Sequence, residues 1–160
     1  MNIYTKYLLE KHKLHTPKDE ESGLPKKYVE GLNPTQKAKQ IEEIKKSKEE
    51  YKRTGQIRER EKVSDTHKRS PHVIKFEKMY GFPVTDLARV KKEFPDTDIE
   101  TIIKKGKGAY ASAGSRPNQS SYSWAFARLA SVLTVGKAMV VDKSLIGEND
   151  LKKILRVGQH

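Results

Sequence analysis

The stretch from Gly106 to Val135 constrains the fold of this chain more than any other. Three glycines fall within nine residues, and the turn sequence Arg116-Pro117-Asn118-Gln119 follows them. Ser120 and Ser121 come next, and either hydroxyl is suited to cap a helix. Apolar residues then recur at helical spacing, namely Trp124, Ala125, Leu129, Val132 and Leu133. The pattern predicts a glycine loop over residues 106–121 that leads into the N-terminus of a buried helix.

This glycine loop is the best candidate for a binding site, because a helix N-terminus favours anions. The groups expected to converge there are Lys105, Lys107, Ser115 and Arg116. A purely structural interpretation of the loop is favoured over anion binding. In it, the loop packs closely against helices, and Arg116 is buried against main-chain carbonyl oxygens. The residues assigned to packing are Gly106, Gly108, Gly114, Pro117, Trp124 and Leu129. Tyr122 is left open between packing and stacking on a base.

The same stretch carries a resemblance to a known family. The string GAYASAGSRPNQSSYSWAFARLASVLTVGKA, which begins at Gly108, is followed by Val141-Asp142-Lys143. Together they resemble the signature of an uncharacterised domain family in large DNA viruses of eukaryotes and in tailed phages. Residues 28–32, 68–72 and 75–78 also fall where that family has similar residues. The resemblance implies a viral origin and no established activity. Where relatives tend to have a second glycine, this chain has Val135 before Gly136.

Composition excludes several classes of function and favours an acidic partner. Of the 160 residues 34% are charged and 34% hydrophobic, so the buried core must be small. The net charge of +12 favours nucleic acid or an acidic protein surface. The lack of cysteine excludes thiolate nucleophiles and thiolate metal sites. Known phosphate-loop, Rossmann and serine-hydrolase spacings are absent and the histidines lack metal spacing, so we predict no catalytic residue, metal or cofactor.

The sequence shows no sign of a membrane-spanning or secretory segment. No apolar run approaches the ~20 residues of a membrane span, and the first residues lack the apolar core of a secretory signal. We therefore expect no membrane partner and a protein that stays where it is made. For a viral protein that means the host cytoplasm or nucleus and then the virion.

Before the glycine loop, charge dominates the chain. Asn33-Pro34 marks a helix start, and the helix is expected to end near Arg53, before Gly55. Residues 52–78 carry nine basic and four acidic side chains, and the centre of this segment, residues 54–71, is expected not to bury itself. It is either a solvated linker, which is favoured, or a ribbon that follows a phosphate backbone. The basic residues that would contact phosphates are Arg58, Arg60, Lys68 and Arg69.

Short helices are predicted after Pro71. They cover about residues 72–80 and 86–94, and a third starts with a capping box of Thr97 and Glu100 and ends at Gly106. One or two more follow over residues 140–157. The predicted core residues are Phe76, Tyr80, Leu87, Ile102, Ile103, Trp124, Leu129 and Leu133.

We therefore predict an all-α protein in three parts. An N-terminal tail (1–32), with a short helix near Tyr4 to Leu9, precedes a charged helix and basic linker arm (33–70) and a compact helical domain (71–157). The leading hypothesis is a non-enzymatic viral structural protein, minor capsid-associated or internal, that binds other virion proteins through extended basic segments, with viral DNA as a further partner. The alternative is a nucleic-acid-binding protein that contacts phosphates through the arm and the glycine loop. An enzyme built on that loop is the third option, and no small-molecule substrate is expected.

Overall fold

The computed structural model describes residues 17–158, and this part of the chain contains helices and no strand. The all-α prediction is therefore confirmed for it. The α-helices are α1 (Pro34–Thr54), α2 (Pro71–Tyr80), α3 (Leu87–Glu93), α4 (Ile99–Ser112), α5 (Ser121–Leu133), α6 (Lys137–Val141) and α7 (Glu148–Gly158). Two short 3-10 turns cover Lys26–Tyr28 and Lys143–Leu145. The helix predicted near Tyr4 to Leu9 lies outside the described residues.

Packing divides the described chain into two units. The core unit comprises residues 69–106 and 125–158, and the strap unit comprises residues 17–68 and 107–124. Residues 107–124, which sequence analysis placed in the helical domain, thus belong with the N-terminal half of the chain.

The core unit is held together by apolar side chains. Phe76 meets Phe82 edge to face, and Tyr80 meets Phe94 in the same way, with ring centroids 5.2 Å apart in both pairs. The Tyr80 hydroxyl donates to Leu133 O at 2.7 Å. The residues of this unit that were predicted to form the core all lie in or against its cluster: Phe76, Tyr80, Leu87, Ile102, Ile103, Leu129 and Leu133. That part of the core prediction is confirmed.

Helix α4 runs through Gly106 and Gly108, so the prediction that Gly106 ends this helix is wrong. A Cβ on Gly106 would lie 2.7 Å from Ala125 Cα and 3.1 Å from Ala125 Cβ. Glycine is required there because α4 and α5 approach too closely for a side chain. Interior glycine costs a helix about 1 kcal/mol, which the packing of the two helices outweighs.

The N-terminus of α4 is capped by Asp98 and not by the predicted box of Thr97 and Glu100. Thr101 N donates to Asp98 Oδ1 at 3.2 Å, and the Thr101 hydroxyl donates to Oδ2 at 2.8 Å. The Thr97 hydroxyl donates instead to Asp150, a buried carboxylate of α7, at 2.7 Å. An ionised acceptor makes the stronger bond, so tertiary packing overrides the local capping pattern.

Helix α5 ends in a left-handed turn at Val135, whose φ is 63°. Gly136 N donates to Ser131 O at 2.7 Å, which is the long bond of a Schellman motif. The tight turn thus forms with Val135 in the left-handed position directly before Gly136. A residue with a Cβ stores roughly 1–2 kcal/mol of strain in this conformation.

The strap unit is built on α1. Asn33 Oδ1 accepts from Gln36 N at 2.8 Å, and the Gln36 side chain accepts from Asn33 N at 3.1 Å, so a capping box starts the helix. Gly55 ends it in a left-handed conformation. Both ends lie where the sequence predicts them. The buried positions of α1 are largely polar, namely Gln40, Glu43, Ile44 and Ser47. This helix therefore needs polar partners from other segments.

Candidate functional site

The loop between α4 and α5 covers residues 113–120 and is shorter than the predicted 106–121. Ser120 caps α5 as predicted: Ser123 N donates to Ser120 Oγ at 3.0 Å, and Ser120 N donates to Ser123 Oγ at 2.9 Å. Gly114 and Asn118 both have positive φ, at 107° and 63°. The loop is therefore a short connection with a defined backbone path.

The N-terminus of α5 holds an anion, and this anion is a carboxylate of the same chain. Ser121 N donates to both carboxylate oxygens of Glu59, at 3.0 and 3.1 Å. The Ser121 hydroxyl donates to Oε1 at 2.5 Å. A carboxylate at a helix N-terminus is favoured by the helix dipole. The anion position predicted at this helix start is thus occupied by Glu59.

Arg60 is the arginine that holds the loop. Its guanidinium donates to Ser47 Oγ at 3.0 Å, Tyr110 O at 2.7 Å and Ser115 Oγ at 2.6 Å. It also lies over the Tyr110 ring, with Cζ 3.6 Å from the centroid. The prediction that Arg116 is buried against carbonyl oxygens is wrong, because Arg116 is exposed. Arg60, from the basic segment, has that role.

Asn118 fastens the segment that follows Arg60. Its Oδ1 accepts from Val63 N at 2.9 Å and from Ser64 N at 3.2 Å. Its Nδ2 donates to Ser64 Oγ at 2.7 Å and to Thr66 O at 2.6 Å. We call residues 58–66 the strap. One amide side chain thus makes four hydrogen bonds to the strap, which uses its full capacity.

The start of the strap is attached to α1 and α4. Glu43, which is buried, accepts from Glu61 N at 2.8 Å and pairs with Arg58 at 3.3 Å. Arg60 N donates to the Tyr110 hydroxyl at 3.0 Å. No residue of the strap is buried, so the prediction that the basic segment does not bury itself is confirmed there. Paired polar groups hold it in place, and Arg58 and Arg60 are engaged within the chain.

Tyr28 lies beside this loop and Arg116 lies in it, and both have polar groups without a hydrogen bond in the described chain. The Tyr28 ring packs on Gly114, where a Cβ would come within 3.2 Å of Cδ2 and Cε2. Gln40 Nε2 donates to Tyr28 O at 3.1 Å and to Ser115 O at 3.2 Å. Tyr28 exposes 7% of its surface, and its hydroxyl has no hydrogen-bond partner among residues 17–158. Within that range Arg116 has no acidic partner either.

The electrostatic surroundings keep the Tyr28 hydroxyl protonated. Burial raises the pKa of Tyr28, and the charges of Arg60 and Arg116 lower it by a smaller amount. Both guanidinium groups therefore act on this hydroxyl. At neutral pH it remains a hydrogen-bond donor.

In the core unit the predicted binding residues form ion pairs. Lys105 Nζ lies 3.1 Å from Asp142, a fully buried carboxylate that Arg128 also binds through two nitrogens at 2.8 Å each. Burial raises the pKa of Asp142, but hydrogen bonds from Arg128 and Lys105 together outweigh this effect and hold the pKa below its usual value. Arg69 pairs with Glu77. Lys105 and Arg69 are thus engaged within the chain.

In the strap unit the remaining candidates, Lys107 and Lys68, form no ion pair with an acidic residue of the described chain, and Lys107 is half-buried. Lys107 Nζ lies 3.7 Å from the ring centroid of Tyr122, whose side chain is 59% exposed. Lys68 is exposed. Trp124 is half-buried and meets Tyr28 edge to face at 5.9 Å. The residues predicted to serve packing are all at least half-buried: Gly106, Gly108, Gly114, Pro117, Trp124 and Leu129.

Sequence analysis missed four residues that organise this site: Tyr28, Gln40, Glu59 and Tyr110. Tyr28 and Tyr110 lie in the segments that carry the family resemblance, and that signal could have identified them. Gln40 and Glu59 lie in charged segments without a distinctive pattern. Their bonds to Ser115 and Ser121 span 75 and 62 residues. Spacing along the chain carries no information about contacts of that kind.

Across residues 17–158, no group of three or more histidine, aspartate or glutamate side chains is placed to hold a metal ion. No helix in this part of the chain is long and apolar enough to cross a membrane. An open, shallow depression of about 370 Å³ on the strap unit is lined by Lys46, Glu49, Glu50, Arg53 and Arg58.

Comparison with known proteins identifies the family. Residues 25–152 match the model of DUF5824, which is described as a family of unknown function. Because the match covers most of the chain, the chain belongs to this family. The matched range includes the strap, the loop and the buried Asp142. No curated protein and no solved structure matches the chain.

Proposed function

We propose that this member of the family is a non-enzymatic structural protein of a virus particle, minor capsid-associated or internal. It binds other particle proteins through extended basic segments. The observation that supports this proposal is the strap, a non-helical segment that side-chain hydrogen bonds fix along a helical unit while its residues 59, 61, 62, 65 and 66 stay exposed to a partner. Extended segments wrap large surfaces of a partner for a given length of chain. The resemblance to sequences of large DNA viruses and tailed phages supports the particle setting.

The groups that would have to react in an enzyme serve the attachment of the strap. A nucleophilic serine needs access to substrate and a base that takes its proton. Ser115 is buried, donates its hydroxyl hydrogen to Arg116 O at 2.9 Å and accepts from Arg60. The Glu59 carboxylate accepts from Ser121. These bonds favour a structural role for the loop.

Mass spectrometry of purified particles tests the proposal. The protein should copurify with particles of the virus that encodes it after washing with salt and detergent. Absence from washed particles, with abundance in the infected cell, would contradict the proposal.

A matched pair of variants tests the part played by the strap. Asn118→Ala removes four hydrogen bonds to the strap, whereas Asn149→Ala changes an exposed asparagine of α7. Incorporation into particles should fall for the first variant and stay unchanged for the second. Melting curves of both proteins show whether the folded state survives. Equal incorporation of two folded variants would remove the strap from the binding surface.

Nucleic-acid binding is the second candidate function, and a stripe of lysines on α1 favours it. Lys45, Lys48 and Lys52 recur at intervals of three and four residues and so share one helix face. All three are exposed, and none has an acidic partner within the described part of the chain. A row of free cations of this kind can follow a phosphate backbone. Of the predicted set, Arg58, Arg60 and Arg69 are engaged in the chain, whereas Lys68 is exposed and remains available beside this stripe.

The salt dependence of duplex DNA binding tests this candidate. Each neutralised phosphate contributes a slope of about −0.9 to the dependence of log K on log salt. Changing Lys45, Lys48 and Lys52 to glutamate should flatten the slope by up to about 2.7 units. The control changes three exposed lysines of the core unit, Lys75, Lys78 and Lys92. Equal slopes for both triple variants would show that net charge alone drives binding.

A further inference from the structure

The Tyr28 hydroxyl has no hydrogen-bond partner among residues 17–158, although only 7% of this residue is exposed. Buried hydroxyls are normally hydrogen-bonded. In residues 17–158 no fully buried side-chain nitrogen or oxygen lacks a partner. The Tyr28 hydroxyl, which has none, must therefore retain some contact with solvent. The small exposed part of Tyr28 thus includes its hydroxyl, where a ligand can reach it.

Two arginines lie in the segments that meet Tyr28, and their charge is only partly neutralised. Arg116 follows Gly114, on which the Tyr28 ring packs, by two residues, and Arg60 donates to Ser115 between them. Arg116 is exposed and has no acidic partner in the described chain. Arg60 donates only to neutral oxygen atoms. Glu43 and Glu59 also act on Arg60, but their carboxylates are bonded to other groups. The surroundings of Tyr28 therefore favour an anion.

Tyr28 and the backbone of the loop are held in place before any ligand arrives. Gln40 joins Tyr28 O to Ser115 O, so the tyrosine and the loop move together. The Ser115 hydroxyl accepts from Arg60 and donates to Arg116 O. Gly114 lets the loop approach the tyrosine ring. A preorganised site binds more tightly, because less conformational entropy is lost on binding.

We propose that Tyr28 and Arg116 bind a phosphoryl oxyanion at the loop of the strap unit. The tyrosine hydroxyl donates one hydrogen bond, and the guanidinium of Arg116 donates two to a pair of oxygens. Arginine matches phosphate in this bidentate manner. The ligand is free phosphate, a phosphate monoester or the phosphodiester of a nucleic acid, which share this chemistry. The site goes beyond the proposed function, since it requires neither a particle nor the lysine stripe of α1.

Titration of the full chain with inorganic phosphate, followed by NMR shifts of backbone amides, tests this site. The shifts should centre on Tyr28 and residues 114–117. Arg116→Ala should weaken binding about tenfold or more, and Tyr28→Phe several-fold, as expected for hydrogen bonds to a charged group. Both variants should keep the melting temperature, because Arg116 is exposed and the Tyr28 hydroxyl bonds to nothing in the described chain. Arg53→Ala, an exposed arginine of the same unit, is the control and should bind as before.

A second titration, with a single-stranded oligonucleotide without terminal phosphates, separates the possible sources. If Arg116→Ala and Tyr28→Phe weaken binding of both probes, the ligand is a phosphodiester. If they weaken only inorganic phosphate binding, it is free phosphate or a monoester, and the site stands while the nucleic-acid candidate loses support. Two results overturn the site: neither probe binds, or Arg53→Ala weakens phosphate binding as much as Arg116→Ala. Absence of the protein from particles leaves this test unaffected.

Discussion

Alanine at Gly106 and alanine at Gly108 should have opposite effects on stability, although both glycines lie inside α4. In a helix interior, glycine to alanine gains about 0.5–1 kcal/mol, because alanine loses less backbone entropy on folding. At Gly108 the new Cβ would lie 3.5 Å from the Tyr51 hydroxyl, an ordinary contact. Gly108→Ala should therefore stabilise the protein by most of that amount.

At Gly106 the same gain is opposed by a steric clash. The new Cβ would lie 2.7 Å from Ala125 Cα, a backbone atom that moves only if α4 and α5 separate. Overpacking of this kind costs about 1–3 kcal/mol. The propensity gain is common to both variants, so the difference between them equals this cost. For a chain of this size that corresponds to a difference in melting temperature of about 2–12 °C.

Thermal and urea denaturation, followed by far-ultraviolet circular dichroism, measure the two variants side by side. Adding Ala125→Gly to Gly106→Ala should restore little of the lost stability. Ala125 Cα is closer to the new Cβ than Ala125 Cβ is, and this Cα remains in the double variant. If Gly106→Ala matches Gly108→Ala in stability, α4 and α5 do not pack at this distance. Full rescue by Ala125→Gly would show that the methyl group, and not the backbone, sets the separation.

Three further changes test the contacts that hold each unit. Arg60→Ala leaves three oxygen acceptors without their donor and should lower the free energy of unfolding by about 2–4 kcal/mol in urea denaturation. The control Arg53→Ala should change that free energy by no more than about 0.5 kcal/mol. Equal losses in the two variants would contradict the role of Arg60. Asp142→Asn breaks a buried ion pair and should cost about 3 kcal/mol near pH 7. The folded pKa of Asp142 lies below its reference value of 3.8, so its charge stabilises the fold above about pH 4 and less as pH falls through the folded pKa. The Asn variant should therefore lose less stability than the parent on acidification, and parallel curves would refute this. Val135→Asn should raise stability by about 0.5–1 kcal/mol, because asparagine tolerates the left-handed conformation; a lower melting temperature would show that side-chain packing outweighs the strain.

Local features of the sequence predicted most of the helices. Asn33-Pro34 started α1, Ser120 capped α5, and helical spacing of apolar residues identified the cluster of the core unit. Each of these sequence features lies within a few residues of the helix whose position it determines. Capping bonds and a buried helix face depend on neighbours one turn away, so the order of residues is sufficient to predict them.

Only the tertiary structure decided which charged groups are free and which are bound. The sequence placed Arg116 in the packing role, and the structure gives that role to Arg60, through bonds that span 50 and 55 residues. It also showed that Gly106 lies inside a helix because Ala125 packs on it, and that Asp150 competes for Thr97. Such bonds depend on the distance between atoms in the folded chain. Without knowledge of those distances, the sequence does not show which arginine is paired. Local helix propensity contributes tenths of a kcal/mol to about 1 kcal/mol per residue. Leaving a buried polar group unpaired costs about 1–3 kcal/mol. Where local propensity and long-range pairing conflict, the long-range partners therefore decide the structure.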